Sequence, residues 1–270
     1  MQIRIFHETA YAHEFAAGYA IQHLLLTPVS GPFQNILDWR IDARGIAQAA
    51  RFLDGLGNIA HLVNQTRPLA EFKVTVRGLV ETTDTDGIVG RLPNDPVQGI
   101  FLRQTPFTRP SGAILALARA AESTQGSIIS KMHALMAALG EAMRFDTTAT
   151  TVETTAVEAF DLGHGVCQDF SHVMIGAARA IDIPARYVTG YLLMDPGQTA
   201  EANHAWAEIW DNELGWIGFD AANRICPTER YVRLASGFDA ASAAPIRGIR
   251  RGAGPDALKV SVSVQQETAQ

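Results

Sequence analysis

Cys167, His204 and Asp220 are the residues whose types and settings suggest chemistry in this chain. Cys167 lies in Gly163-His164-Gly165-Val166-Cys167-Gln168-Asp169-Phe170-Ser171-His172, where a glycine-flanked loop turns into a helix. His204 and Asp220 lie in Asn203-His204-Ala205-Trp206 and Gly218-Phe219-Asp220, on two strand-like segments. In that order they are the parts of an acyl-transfer site: a thiol that attacks, an imidazole that moves the proton, and an acid that orients the imidazole.

A thiol is a weak nucleophile until it ionises. The first turn of a helix offers unsatisfied backbone N–H groups and the positive end of the dipole, and both favour the thiolate. The same N–H groups can receive the oxyanion of a tetrahedral intermediate. Gly163 and Gly165 are expected to keep the approach to the sulfur open and to allow a tight turn. The competing account of Cys167 is a small buried hydrophobe, the common fate of an intracellular cysteine. Its glycine-rich helix start favours the functional account.

The base and the acid are tied together by parity. In Asn203 to Trp210 the even-numbered residues share one face of a strand. A turn at Asp211-Asn212-Glu213-Leu214-Gly215 folds Trp216 to Asp220 back as an antiparallel partner. Whether Trp210 meets Leu214 or Trp216, His204 and Asp220 fall on one face, directly opposite or on a diagonal. Their Cβ atoms then lie roughly 5 to 8 Å apart, within reach of a carboxylate–imidazole hydrogen bond.

The elements that must hold these residues follow from periodicity. Alternation at Ile3 and Ile5, and again at Phe72, Val74 and Val76, predicts strands in the first hundred residues. Turn signals at Thr27-Pro28, Ser30-Gly31-Pro32, Asp54-Gly55 and Asp84-Thr85-Asp86-Gly87 separate them. After the proline-marked stretch from Pro93 to Pro110, helices are expected over Gly112–Glu122, Ile128–Arg144 and Thr154–Phe160. Another follows Cys167 and ends at Ile183-Pro184. Strands return at Arg186–Met194, Asn203–Trp210 and Trp216–Asp220, with a turn at Asp195-Pro196-Gly197, and the last strand is expected at Leu258–Val264. Ala240–Pro255 reads as a long surface loop. Strands, then helices, then strands predict an α+β fold. The expected division is a β-rich region over 1–108 and a catalytic core with a carboxyl-terminal strand over 109–270.

Composition narrows the class. The chain has 270 residues, 47% hydrophobic and 19% charged, an ordinary globular composition with room for a sizeable core. A formal charge of −6 argues against nucleic acid or an anionic membrane surface as partner. The amino terminus lacks the basic and apolar regions of a secretory leader, and no apolar run is long enough to span a bilayer. Two cysteines, Cys167 and Cys226, do not make a disulfide framework. A cytoplasmic location is expected.

Taken together, Gly165-Val166-Cys167-Gln168-Asp169-Phe170, Asn203-His204-Ala205-Trp206 and Trp216-Ile217-Gly218-Phe219-Asp220 resemble the transglutaminase-like superfamily in its bacterial branch. Tyr231-Val232-Arg233-Leu234-Ala235-Ser236-Gly237 and Pro245-Ile246-Arg247-Gly248 are similar to the family's tail, and the strand-rich start resembles the β region that precedes the core in bacteria. The resemblance implies a papain-like fold with Cys167 as nucleophile, His204 as general base and acid, and Asp220 as orienting residue. It implies a cysteine hydrolase acting through a thioester on a peptide, a protein or an amide-containing small molecule, with no cofactor. One departure is Asp220-Ala221-Ala222-Asn223, where the family often has Asp-Pro-Thr-Asn.

His164, Gln168 and Trp206 are the expected substrate-binding residues. For His164 the alternative is an exposed loop histidine; for Trp206, as for Trp210 and Trp216 on the same face, it is core packing. His172 falls about 140° round the helix from Cys167 and is assigned to packing or support. Cys226 reads as structural or incidental, since no base-bearing motif adjoins it. A metal site from Cys167, His164, His172 and His204 has none of the paired spacings of structural zinc, so no metal is expected. Asp84-Thr85-Asp86-Gly87 lacks the closing glutamate of a calcium loop and is read as a turn. Two rivals to hydrolysis stand: transfer of the same acyl group to an amine, and a noncatalytic binding module that has kept the fold. The first depends on how well the cleft excludes water.

Overall fold

The computed structural model describes residues 1–67, 69–195, 203–251 and 256–267. Seven strands come first: β1 (Gln2–Ala17), β2 (Tyr19–Thr27), β3 (Gln34–Ala43), β4 (Ala50–Leu53), β5 (Ile59–Gln65), β6 (Leu69–Thr82) and β7 (Ile88–Gly90). The helical middle holds α1 (Gly112–Glu122), α2 (Ile128–Ala142), β8 (Arg144–Phe145), α3 (Ala156–Leu162), β9 (His164–Gly165) and α4 (Cys167–Ala180). Then follow β10 (Ala185–Leu192), β11 (His204–Asp211), β12 (Gly215–Phe219), β13 (Tyr231–Gly237), β14 (Ile246–Arg251) and β15 (Asp256–Gln266). This is the α+β arrangement expected.

The early strands form two four-stranded antiparallel sheets, ordered β15-β1-β6-β3 and β14-β2-β5-β4. Their apolar faces meet: Ile3, Ile5, Leu24, Leu26, Val63, Phe72, Val74 and Val76 share one core. The alternation at Phe72, Val74 and Val76 is therefore a real inward face. β1 runs far beyond the Ile3–Ile5 signal because β6 and β15 supply hydrogen-bond partners along both of its edges.

Two late segments differ from expectation. Ile246–Arg251, inside the expected surface loop, is a strand along β2, with Ile246 opposite Leu24 and Arg251 opposite Tyr19. Its Arg- and Gly-rich sequence carries no alternation, and most of it is exposed. The open edge of β2, rather than burial, makes it a strand. The final strand, Asp256–Gln266, pairs with β1 and so lies in a sheet of the amino-terminal strands. Pro196 and Gly197 of one expected turn, and Gly252–Pro255 of the expected loop, lie outside the described residues.

The third sheet, ordered β13-β10-β11-β12-β7, is buried on both faces. Ala205, Ala207 and Ile209 face the helices with Tyr187, Ile217 and Phe219, in one core with residues of all four helices. α4 is the central helix, buried from Asp169 to Arg179. At Gly176 a Cβ would stand 2.1 Å from the Thr108 carbonyl oxygen, so only glycine lets the loop before α1 lie against the helix. Serine and threonine caps start the other helices: Ser111, Ser127 and Thr155, the last in a reciprocal box with Glu158.

The other face of this sheet carries charge. Arg186 Nε lies 2.6 Å from Glu208 Oε2, Arg233 Nε 2.8 Å from Glu208 Oε1, and Arg186 Nη1 2.7 Å from Asp95 Oδ1. Arg186 and Glu208 are wholly buried, and Arg186 stacks 4.0 Å over the Trp216 ring. Among the described residues no helix is long and apolar enough to cross a membrane.

Candidate active site

The loop into α4 is held from both sides. Gly163 ends α3 with φ 71, the left-handed conformation that favours glycine, and donates to the Ala159 carbonyl. His164 and Gly165 bridge to Arg144 and Phe145 in parallel. Asp169, three residues after the N-cap Val166, turns its carboxylate back: Oδ2 accepts the Val166 N–H at 2.8 Å and the Thr150 hydroxyl at 2.6 Å. A Cβ on Gly165 would stand 2.7 Å from that Oδ2. Gly165 is therefore glycine at least to admit the Asp169 carboxylate, a role the sequence did not suggest. Asp169 is wholly buried; burial pushes its carboxyl up against the lowering effect of those hydrogen bonds. The acid at N3 is a capping signal legible in the sequence.

Cys167 is the first residue of α4 and half-buried. The Val166 carbonyl accepts from the Asp169 and Phe170 amides, so the Cys167 and Gln168 N–H groups point out of the helix start without an intrahelical acceptor.

His204 opens β11, and Asp220 follows β12. The register pairs Trp210 with Trp216 and Ala207 with Phe219, which places Asp220 one diagonal from His204. His204 Nε2 lies 2.6 Å from Asp220 Oδ2. Cys167 lies close enough to the same ring to favour its protonated form. With Nε2 engaged by the acid, Nδ1 is the nitrogen left for sulfur. Burial alone would pull the imidazole down. Hydrogen bonds with Asp220 and Cys167, and the negative charge of both, outweigh it and hold His204 up at about 10.

Asp220 is wholly buried and heavily bonded. Oδ1 accepts the Ala222 and Asn223 amides, each at 3.1 Å. Oδ2 accepts from Asn223 Nδ2 and from the Tyr231 hydroxyl, each at 2.8 Å. Burial pushes this carboxyl up, yet His204, Tyr231 and Asn223 outweigh burial and hold it below the usual carboxylate range. The turn that lacks the family's proline thus still closes on the acid, through amides that Ala222 and Asn223 provide. Asn223 and Tyr231 were not singled out as site residues. Tyr231 stands on the next strand, 11 residues past Asp220, and no local pattern announces its contact.

The remaining expected residues are spread around this row. His164 is partly exposed, its Nδ1 3.7 Å from Asp146 Oδ2. Gln168 donates to the Val152 carbonyl at 3.3 Å. Trp206 is 2% exposed; it stacks on the His204 ring at 6.3 Å and meets Tyr231 edge-on at 5.5 Å, so it backs the imidazole, and it also lines a cavity with Tyr231, Glu208 and Arg233. Trp210 and Trp216 pack on each other in the core. His172 is buried, and its Nε2 accepts the Ala240 amide. Cys226 does have an imidazole beside it: Sγ lies 3.9 Å from His133 Nε2, brought by α2 from far along the chain. Burial and nearby Asp86 push this thiol up to about 11, away from nucleophilic use near neutrality. Among the described residues no three His, Cys, Asp or Glu side chains group to hold a metal ion.

Comparison with known proteins matches two stretches of the chain. Residues 115–221 match a family described as the transglutaminase-like superfamily, and residues 3–81 match the bacterial transglutaminase-like N-terminal region. An uncharacterized protein of Mycobacterium leprae is 28% identical over 283 residues, covering 97% of this chain and 98% of that protein. A protein-glutamine gamma-glutamyltransferase of Pseudomonas aeruginosa is 31% identical over 115 residues, covering 35% of this chain and 16% of that enzyme. Among solved structures, a "Putative Cysteine Protease" of Cytophaga hutchinsonii shares the fold with a TM-score of 0.74 at 23% identity, over 100% of this chain and 92% of that one.

Proposed function

The chain belongs to the transglutaminase-like superfamily, and we propose that it is a cysteine-dependent acyl-transfer enzyme that hydrolyses an amide or peptide bond through Cys167, His204 and Asp220. The observation that carries this reading is the His204 ring, bonded at 2.6 Å to a buried carboxylate, with Cys167 at the start of α4 near enough to favour the ring's protonated form.

In this mechanism the Cys167 sulfur attacks the substrate carbonyl carbon while His204 holds the proton taken from the thiol. The oxygen gains negative charge beside the free amides of Cys167 and Gln168. The carbon–nitrogen bond breaks as His204 gives its proton to the departing amine, leaving a thioester on Cys167. Water then attacks the thioester, with His204 first accepting and then returning a proton to the sulfur. Asp220 keeps the ring oriented and balances its charge throughout. His164, Gln168 and Trp206 are carried as substrate-side residues, Trp206 acting through the ring it supports.

A second reading ends the acyl-enzyme with an amine instead of water. The name of the Pseudomonas aeruginosa relative favours it, on a match limited to 35% of this chain. A glutamine-containing peptide incubated with and without a primary amine, and followed by mass spectrometry, separates the two. Conversion of the glutamine to glutamate, or peptide cleavage, in the presence of amine supports hydrolysis. An amine adduct supports transfer, and an unchanged peptide with an unreactive Cys167 supports a noncatalytic module. The proposed substrate is a peptide, a protein or an amide-containing small molecule in the cytoplasm, in keeping with two free thiols.

A further inference from the structure

Asp220 is held by a residue whose own strand is held from the amino-terminal sheets. Tyr231 opens β13, the edge strand of the buried sheet, and its hydroxyl donates to Asp220 Oδ2 at 2.8 Å. That oxygen is the one His204 uses. The Tyr231 ring lies 5.8 Å from the His204 ring, so it abuts both members of the pair.

An edge strand exposes unpaired N–H and C=O groups. In β13 a register step between the Thr189↔Ala235 and Gly190↔Arg233 pairs leaves Leu234 as an extra residue. The bulge explains how Arg233 and Ser236, an odd and an even position, both turn their peptide groups outward. Each of those residues is then met by one side-chain amide. Gln34 donates Nε2 to the Arg233 carbonyl at 2.9 Å and accepts the Arg233 N–H at 2.8 Å. Asn58 donates Nδ2 to the Ser236 carbonyl at 2.9 Å and accepts the Ser236 N–H at 2.8 Å. This is the double bond exchange that a neighbouring antiparallel residue would make. Thr82 adds a third tie, its hydroxyl donating to the Glu229 carbonyl just before the strand. Gln34 and Asn58 are buried, and both stand outside the catalytic motifs.

We infer that Tyr231 is a positioning residue for the Asp220–His204 pair, and that Gln34 of β3 and Asn58 of the β4–β5 turn fix it in place by acting as a substitute strand on the open edge of β13. The amino-terminal region thereby becomes part of the catalytic apparatus without touching substrate. This rests on the acyl-transfer reading above.

The test uses the full chain with p-nitrophenyl acetate as acyl donor, which asks only that Cys167 be acylated and deacylated. Tyr231→Phe keeps the ring and removes one donor to a carboxylate. Gln34→Met keeps the volume and removes one of the two clamping amides, leaving Tyr231 untouched. Both variants are expected to lower kcat by about tenfold with KM little changed, the size expected for a hydrogen bond to a charged group. In Tyr231→Phe the acid limb of the pH profile is expected to move up, because Asp220 loses a bond that favours its charged form. Amide hydrogen exchange at Arg233 is expected to quicken in Gln34→Met, which reads the clamp independently of turnover. Wild-type kcat and acid limb in both variants would overturn the inference, as would unchanged exchange at Arg233. If the wild-type chain itself is never acylated at Cys167, the acyl-transfer reading fails and takes this inference with it.

Discussion

His204 and Asp220 meet at 2.6 Å through Nε2 and Oδ2, on the diagonal of a hairpin whose register pairs Trp210 with Trp216. That contact leaves Nδ1 as the ring nitrogen not engaged by the acid. It also ties the acid to the base by backbone geometry rather than by a flexible loop.

Asp220→Asn is the first consequence. The amide retains the shape, but its donor nitrogen would oppose the His204 N–H or force the other tautomer. Turnover of p-nitrophenyl acetate is expected to fall roughly 10³- to 10⁴-fold, the scale of tautomer loss in a comparable triad. A loss below tenfold would place Asp220 outside the mechanism.

The elevated His204 gives a stability signature. The folded ring titrates at about 10, above the ordinary 6.5. The folded state therefore holds this proton more tightly than the unfolded chain does. The stabilisation is complete below about 6.5 and is lost as pH rises towards about 10. Urea midpoints of wild type and His204→Gln are expected to differ most below about pH 6.5 and to converge on the way to pH 10. A gap that widens with rising pH contradicts the assignment.

Glu208 balances two buried arginines. Glu208→Gln keeps the volume but leaves Arg186 and Arg233 short of one negative charge, with Asp95 still on Arg186. Removing one partner of a buried charged group costs about 3 to 5 kcal/mol. Urea unfolding reads this directly, and an unchanged midpoint would mean the cluster is compensated from elsewhere.

Gly165→Ala tests the loop in front of the nucleophile. Its Cβ would press on the Asp169 carboxylate, which holds the Val166 amide. Overpacking of this kind costs about 1 to 3 kcal/mol. Acylation of Cys167 should slow, because the first turn of α4 shifts with the loop.

These residues also mark what the sequence could and could not convey. The helices from Gly112 onwards and the strands around His204 follow local periodicity, so their places were legible. The His204–Asp220 contact was legible too: the two residues share a hairpin, whose parity survives uncertainty in register. Asp169 was a missed local signal. Tyr231, Gln34 and the His133–Cys226 approach were not legible at all. Each is a contact between distant segments, set by sheet order and by the bulge at Leu234, and neither leaves a mark in a window of neighbouring residues. β14 escaped for a related reason, since its pairing is supplied by the edge of β2 and not by its own pattern.

The most direct measurement is peptide mapping by mass spectrometry of the chain quenched during reaction with p-nitrophenyl acetate. The account predicts an acetyl thioester on Cys167 that forms in wild type and in Cys226→Ser but not in His204→Gln. Acetylation of Cys226 alone, or labelling of Cys167 at the same rate with and without His204, would contradict it.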